Sequence, residues 1–586
     1  MLGAGLLLLC VYYISTRGVF QGKYSGDGLF GFEYLRALVY EHTIDMKKVV
    51  PEWLPYFSTD TLTHHMPNRC PFGPVILWMP FYLIGCAIAT VGHWLHLAGH
   101  LKPDSAFHAW MAGLGSLAAA LAGYRQVYAL VRRNVSVGAA RLGATVAVWA
   151  TPIAWYAVTQ PMYQHACAFG CVALLIERWD ATRDHVAGPL RAAQGGLQWR
   201  RFVWLGLIGG LAMAMRLQEA LFLLLPGGEI AYHVVRGPER RRWFAGGLVL
   251  IGATLVAFSP QLAAWHFYTG AFHPPQVEPI RWSSPMFVVA LFSTRAGLFP
   301  WSPIVYATVL GVVLTRRARL LTYSLTVLFL VNLYIVAAAW VPSGAYSYGA
   351  RRLSDCAPLF GLGAALLYDR VRWKRVVAGF AAFCVLATVV TMELQRAGRT
   401  KSSGGYARTA GTYLGECGAP KWMQTLVDRI GYPFVQPAGW LFALYHRVSP
   451  SAFEGIVGNF MLDRDGQWFT VLSRKQEFDV GHRPYIAAGL ELAPKELARV
   501  TGPVRVLVSM FASERIGVLV SGTIGPGDVH IAWNGVDTGA QRLPAGLSFQ
   551  LPAARVRAGV NEVTMDLPLG SRLDSLEFSA YDTWWR

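Results

Sequence analysis

At 586 residues, 54% hydrophobic and only 15% charged, the chain falls well below the roughly 25% charge of a soluble protein. Its many apolar runs approach the ~20 residues that a bilayer demands, so an ordinary soluble globule is excluded and a polytopic α-helical membrane protein is expected. The net charge of +18 would suggest nucleic acid in a soluble chain, but the basic residues cluster between apolar runs, where membrane topology accounts for them.

In chain order, Met1 to about Thr16 is the first predicted span, read as a retained helix because it lacks a basic leading region and a small-residue cleavage site. Residues 19–105 form a long outward loop, within which 75–95 is apolar but holds Pro80, His93 and Trp94. Further spans are expected near 106–131, 139–158, 164–179, 202–215, 217–235, 243–268, 301–315, 319–341, 354–370 and 374–394. Basic clusters at Arg132/Arg133/Arg141, Arg178–Arg201, Arg236–Arg242, Arg316–Arg319 and Arg370–Arg375 mark the cytoplasmic side. They fall after every second span only if 75–95 does not cross, so it reads as a re-entrant or surface-lying helix. The result is 11 crossings with the N-terminus inside and the C-terminus outside.

Residues 1–394 thus form a transmembrane domain, 395–455 a linker with connecting helices, and 456–586 an extracytoplasmic domain. The last alternates apolar and polar residues over 505–511, 516–522, 529–535 and 558–565, with an Asn534-Gly535 turn, and reads as an antiparallel β-sandwich of jelly-roll type. Its Trp468, Trp533, Trp584 and Trp585 are candidates for stacking on glycan, against a lid or packing role for the domain.

The outward segments hold the unusual residues. Tyr24–Arg36 carries Asp27 and Glu33 in a glycine-rich setting; Asp27 reads either as a general base or as the N-cap of a helix starting near Leu29, and Glu33 as a supporting residue. His64 and His65 are adjacent, and neighbours seldom ligate one ion together, so no metal is expected. Arg69 precedes a Pro/Gly-rich helix entry and suits a phosphate or headgroup contact, or plain snorkelling. Arg216 and Glu219 break an apolar stretch at a spacing that lets them pair, for function or for structure. Arg295 within 292–303, and Tyr348, Arg351 and Arg352 within 343–355, combine arginine with glycine, hydroxyls and aromatics, as a phosphate-and-sugar loop or an interfacial belt would. With Tyr163 and His165 of the turn at 159–165, the residues Glu33, His64, His65, Arg216 and Tyr348 are the candidate lining of one outward cavity. Walker A, HExxH and GxSxG patterns are absent from the sequence, as is any CxxC among its eight cysteines. Cys70 and Cys417 lie in polar segments where they can pair, though nothing requires it.

The order of these features resembles the GT-C superfamily of membrane glycosyltransferases, which includes protein mannosyltransferases and lipid A aminoarabinose transferases. The resemblance lies in an early loop acid in Gly26-Asp27-Gly28, the Pro-rich entry Asn68–Trp78, the run 291–303 and Tyr348-Gly-Ala-Arg-Arg352, and covers about residues 1–394. Many members have Asp-Glu where this chain has Asp27-Gly28, and the histidine of the family's His-Pro-Pro entry is absent. The resemblance implies a bacterial inner-membrane enzyme of the cell envelope and of polysaccharide biosynthesis. It would invert configuration, moving a sugar from a polyprenyl phosphate to a glycan, lipid or protein acceptor outside the cytoplasm. Asp27 would act as base; Arg69, Arg295, Arg351 and Arg352 would hold the donor phosphate; the family divides over metal use, and because the sequence supplies no ligand set no metal or other cofactor is expected. A polysaccharide or lipid transporter and an O-antigen ligase or polymerase are the competing readings. The topology makes one prediction: a reporter fused after residue 395 lies outside the cytoplasm, as read by periplasmic alkaline phosphatase activity, and a cytoplasmic signal overturns the 11-crossing arrangement.

Overall fold

The computed structural model describes residues 2–15, 27–51, 59–68, 70–97, 99, 101–183, 199–275, 280–293, 296–315, 317–339, 348–396, 420–422, 425, 435–436, 438–450, 452–453, 467–471, 485–491, 497–510, 515–544, 546–552, 555–557 and 559–580. They divide into two compact units. The first comprises 1–278, 304–332 and 351–396, the second 279–303, 333–350 and 397–586.

The first unit is helical. It contains α1 (Leu2–Ser15), α2 (Asp27–Arg36), α3 (Gly73–Trp94), α4 (Ala106–Arg132), α5 (Val137–Trp149), α6 (His165–Thr182), α7 (Trp199–Met215), α8 (Leu224–Arg236), α9 (Arg240–Thr269), α10 (Ile304–Leu314), most of α11 (Arg319–Ala338), α12 (Ala357–Arg370) and α13 (Lys374–Arg396). Among the described residues, five helices are long and apolar enough to cross a membrane: α3, α4, α9, α11 and α13. The segment at 75–95, read as a re-entrant or surface-lying helix, is α3, one unbroken helix of 22 residues despite Pro80. At 1.5 Å per residue it is roughly 33 Å long. Gly85 and Gly115 bring it close to α4: a Cβ on Gly115 would lie 2.4 Å from the Leu77 carbonyl oxygen, and one on Gly85 2.9 Å from Met111.

Two predicted spans are interrupted. The run at 139–158 breaks after Trp149, where Pro152 ends the helix and the Thr151 hydroxyl donates back to the Ala147 carbonyl at 2.7 Å; a short helix, Ile153–Val158, follows. Between α7 and α8, Arg216 is extended (φ −155°, ψ 128°) and leads into a 3-10 turn, Leu217–Leu223. Elsewhere small residues allow close packing of apolar helices, which association within lipid favours. A Cβ on Gly143 of α5 would lie 2.5 Å from the Gly361 carbonyl oxygen of α12, and the reverse holds at the same distance.

The first loop is fastened to one end of α9. The Tyr268 hydroxyl donates to the Ile44 carbonyl at 2.5 Å, Gln261 Oε1 accepts from the Phe72 amide at 2.6 Å, and His65 stacks on Phe267 with ring centroids 4.2 Å apart.

The second unit holds α14 (Ala438–His446) and ten antiparallel strands: β1 (Gln467–Val471), β2 (Tyr485–Glu491), β3 (Ala498–Met510), β4 (Arg515–Thr523), β5 (His530–Trp533), β6 (Val536–Asp537), β7 (Gln541–Leu543), β8 (Gly546–Pro552), β9 (Gly559–Asp566) and β10 (Arg572–Ala580). The order is β6-β5-β9-β3-β10-β4-β8-β7, with β2 on β3 and β1 on β10. β3 meets β10 only over Ala498–Arg499, while its far half, Val504–Met510, pairs with β9. Val504, Val506, Val518, Val520, Ile531, Trp533, Leu547 and Val563 fill the core, joined by Met286 and Val289 from the segment at 279–303. The Asn534-Gly535 turn has positive φ at both residues (51° and 80°), which the two-residue β5–β6 hairpin needs.

This core corrects one expectation. Trp533 is fully buried and its Nε1 donates to the Arg555 carbonyl at 3.1 Å, so it does not stack on glycan. Trp584, Trp585 and the Trp468 side chain lie outside the described residues. Trp533→Ala is expected to remove about 3–5 kcal/mol from the stability of this unit, checked by the temperature at which its strands become cleavable by protease.

Candidate active site

The site is built around the start of α2. An acid in the first turn and Arg36 in the last complement the helix dipole. Gly28 and Gly31 let α2 lie tight on the 159–163 turn and on α3. A Cβ on Gly28 would sit 3.0 Å from the Tyr163 ring, and one on Gly31 3.0 Å from Trp78 and 3.1 Å from the Met162 carbonyl oxygen. The loop before α3 locks the same segment. Asn68 Nδ2 donates to the Phe30 carbonyl at 2.7 Å, its Oδ1 accepts from the Cys70 amide at 2.9 Å, and the Cys70 thiol donates to the Asp27 carbonyl at 3.0 Å. Cys70 is thus a buried free thiol; Cys417 lies outside the described residues.

The Asp27 side chain reaches across the chain to Arg351, whose Nη1 donates to Oδ2 at 2.7 Å. The carboxylate is 41% exposed and the arginine side chain 15%, so the cation is held within the protein and the acid is open on its free edge. The guanidinium carbon lies 5.8 Å from the centre of the Tyr163 ring. Burial works against the Arg351 charge, but the neighbouring Asp27 carboxylate outweighs it and holds the guanidinium more firmly protonated than usual. Burial, then the Asp27 charge, pushes the Tyr163 phenol up, so it stays neutral and can donate a hydrogen bond. Tyr163, Tyr156 and His165 form an aromatic group with centroids 4.5–6.3 Å apart. His165, at the start of α6, is buried, and neither ring nitrogen has a hydrogen-bond partner among the described residues.

A second polar cluster lies within the same unit. Arg216 donates to Glu219 Oε1 at 3.1 Å, to Gln218 Oε1 at 3.0 Å and to Asp355 Oδ2. Gln218 Nε2 donates to Asn332 Oδ1 and, at 3.0 Å, to the Arg352 carbonyl. Glu219 and Asp355 are completely buried. Asp355 shares one 3-10 turn, Arg351–Cys356, with Arg351 and Arg352. The ion pair therefore anchors the turn that delivers Arg351 to Asp27.

The predicted site residues divide into groups. Asp27, Arg351, Tyr163 and His165 come together, and Arg216 and Arg352 join them through the 3-10 turn. Glu33 is buried and pairs with Arg36 at 3.3 Å on its own helix. His65 bonds Asp45 at 3.0 Å and stacks on Phe267, so it belongs to the loop's attachment to α9, while His64 takes a left-handed turn conformation (φ 58°) within that loop. Tyr348 falls in the second unit, packed edge-on against Trp301 at 4.9 Å. Arg69 and Arg295 lie outside the described residues. Asp355, Gln218, Asn332, Tyr156 and Cys70 were missed as members of the network. For Asp355 the signal was present: an acid two residues into an expected span needs a partner.

No protein-family model and no curated protein sequence matches the chain. Among solved structures it is similar to apo ArnT from Cupriavidus metallidurans (TM-score 0.41, 15% identity, covering 77% of this chain and 73% of that one). It is similar also to ArnT from the same organism bound to undecaprenyl phosphate (0.39, 15%, 68% and 72%) and to the apo Archaeoglobus fulgidus oligosaccharyltransferase (0.40, 10%, 68% and 55%). At these values the likeness assigns no family to the chain.

The Cys70 environment yields a prediction. Burial first, then the Asp27 charge, pushes its thiol well above the usual range. Iodoacetamide at a pH of about 8.5, where an ordinary thiol is half ionised, should leave Cys70 unmodified in the folded protein and modify it on unfolding, by peptide mass spectrometry. Asp27→Asn should relax this only in part, because burial is the larger cause.

Proposed function

We propose that this chain is an inverting GT-C-type glycosyltransferase that moves a sugar from a polyprenyl phosphate to an acceptor hydroxyl outside the cytoplasm. The observation carrying this reading is the Asp27–Arg351 ion pair, which joins an open carboxylate to a half-buried cation from a distant part of the sequence. In the reaction the acceptor oxygen attacks the anomeric carbon, the bond from that carbon to the phosphate oxygen breaks, and its electron pair leaves with the phosphate. The acceptor proton passes to Asp27. Arg351, with Arg352 beside it, faces the leaving phosphate, whose growing charge it stabilises. Tyr163 supports the guanidinium from its ring face and contributes a neutral hydroxyl. Arginine thereby does for the leaving group what a metal or an acid would otherwise do, and no cofactor enters the scheme.

In the resting site Arg351 occupies Asp27. A phosphate arriving beside Arg351 competes for the guanidinium and frees the carboxylate, so the donor primes the base. The reading includes a multi-pass inner-membrane protein with 11 crossings, α3 lying along the surface, and the strand domain outside the cytoplasm. The transporter alternative calls for a polar path through the late spans, where Asn332 and Glu393 are the exceptional polar residues; Asn332 is bound to Gln218 and Glu393 to Arg396.

Asp27→Asn is expected to lower transfer from a polyprenyl-phosphate sugar by about 10²–10⁴-fold, the usual worth of a general base, with expression and fold retained. Wild-type turnover in that variant removes the assignment. Arg351→Ala should raise the donor KM more than the acceptor KM, as read from initial rates with each substrate varied in turn; equal changes in both overturn the phosphate role.

A further inference from the structure

The second unit carries one feature that transfer chemistry does not use. Helix α14 exposes Trp440, Leu441, Leu444 and Tyr445 at 51%, 66%, 76% and 80%. At 3.6 residues per turn these four fall within about 140° of the helix circumference. The opposite side is seated. Gly439 and Ala443 are buried, and Phe442 packs 5.4 Å from Phe453 and 4.5 Å from His446 against the cores that the strands build. The exposed stripe is therefore held outward by its own packing and is not a frayed end. A water-facing helix would carry charge there, yet α14 has none before His446.

We infer that α14 is an interfacial anchor that lays this stripe into the outer surface of a phospholipid bilayer. Three observations select lipid. Trp and Tyr frame two leucines, the composition of residues that settle at the headgroup boundary with their apolar bodies inward. From Gly431 to Phe453 the sequence contains no acid, while Arg447, exposed directly after the helix, suits anionic headgroups. The same chain contains five helices long and apolar enough to cross a membrane, so a bilayer is within its reach. The anchor fixes the strand domain to the surface beyond its covalent tether. The inference does not depend on the transferase reading.

The test uses the full-length protein in proteoliposomes of phosphatidylethanolamine and phosphatidylglycerol, with the photocrosslinker p-benzoylphenylalanine placed at Tyr445. The control position is Leu569, 77% exposed in the turn before β10. Irradiation should yield a lipid adduct at position 445 roughly tenfold above that at 569, and Leu441→Ser with Leu444→Ser should reduce it. A crosslink within the chain, a crosslink between two copies, or lipid adduct no greater than at 569 overturns the inference. Because the crosslink is read without any turnover assay, loss of transferase activity in Asp27→Asn and failure of the anchor are separate results.

Discussion

Everything at the site depends on one pair of charges. Asp27 and Arg351 are separated by most of the first unit's sequence, and their contact at 2.7 Å closes a path from α2 through to the 3-10 turn before α12. The exposure of the two partners is unequal, which decides how the pair can be used. A fully buried pair is costly to part, whereas an acid open to solvent can exchange its partner for a substrate at modest cost. The buried partner is the one fixed in place. Of the two, the carboxylate is the partner open to exchange its contact, while the cation stays within the protein.

The cation is fixed by a second layer of charge. Arg216 binds Asp355 and Glu219, both fully buried, and Gln218 holds the Arg352 carbonyl. Removing Arg216 would strand two acids away from water, a loss of about 3–5 kcal/mol for a broken buried pair, and would release the turn bearing Arg351. This explains why α7 ends where it does. Arg216 must leave the helix in an extended conformation to reach Asp355, and the backbone resumes only as a 3-10 turn. An interrupted span is the structural cost of aiming one arginine.

Much of this was legible in the sequence, and the rest fails for identifiable reasons. Long apolar runs became helices, and the period-two segments became β3, β4, β5 and β9 with the Asn-Gly hairpin between β5 and β6. The Arg216–Glu219 pair follows from helical spacing. Asp27 and Arg351 were each singled out, but their meeting is tertiary and no local pattern encodes it. The break at Pro152 was hidden because apolar residues continue beyond it to Val158. Trp533 was misread although its strand held the answer: in β5, Ile531 and Trp533 share one face, and both point into the core. His65 looked like an active-site residue and proved to be a structural stacking partner, a distinction that depends on Phe267, some 200 residues away.

The opposite end of the helices qualifies the charge argument that oriented them. Arg133, Arg183 and Arg201 were counted as cytoplasmic charge, yet each is paired: Arg133 with Glu177 at 2.7 Å and Asp180 at 3.0 Å, Arg183 with Asp180, and Arg201 with Glu229 at 2.6 Å. Trp179 adds a hydrogen bond to Glu229 at 2.8 Å. Helix α6 joins the two ends, with His165 among the site aromatics and Asp180 in this cluster, about 22 Å apart along its axis at 1.5 Å per residue. Neutralisation in the folded state does not weaken the orientation argument, because the bias counts Lys and Arg near the span ends and discounts the acids. Read from the sequence as cytoplasmic charge, these arginines in the folded chain tie α4, α6, α7 and α8 together at the end away from the site. With that end closed by ion pairs, the bundle can afford an open carboxylate at the other.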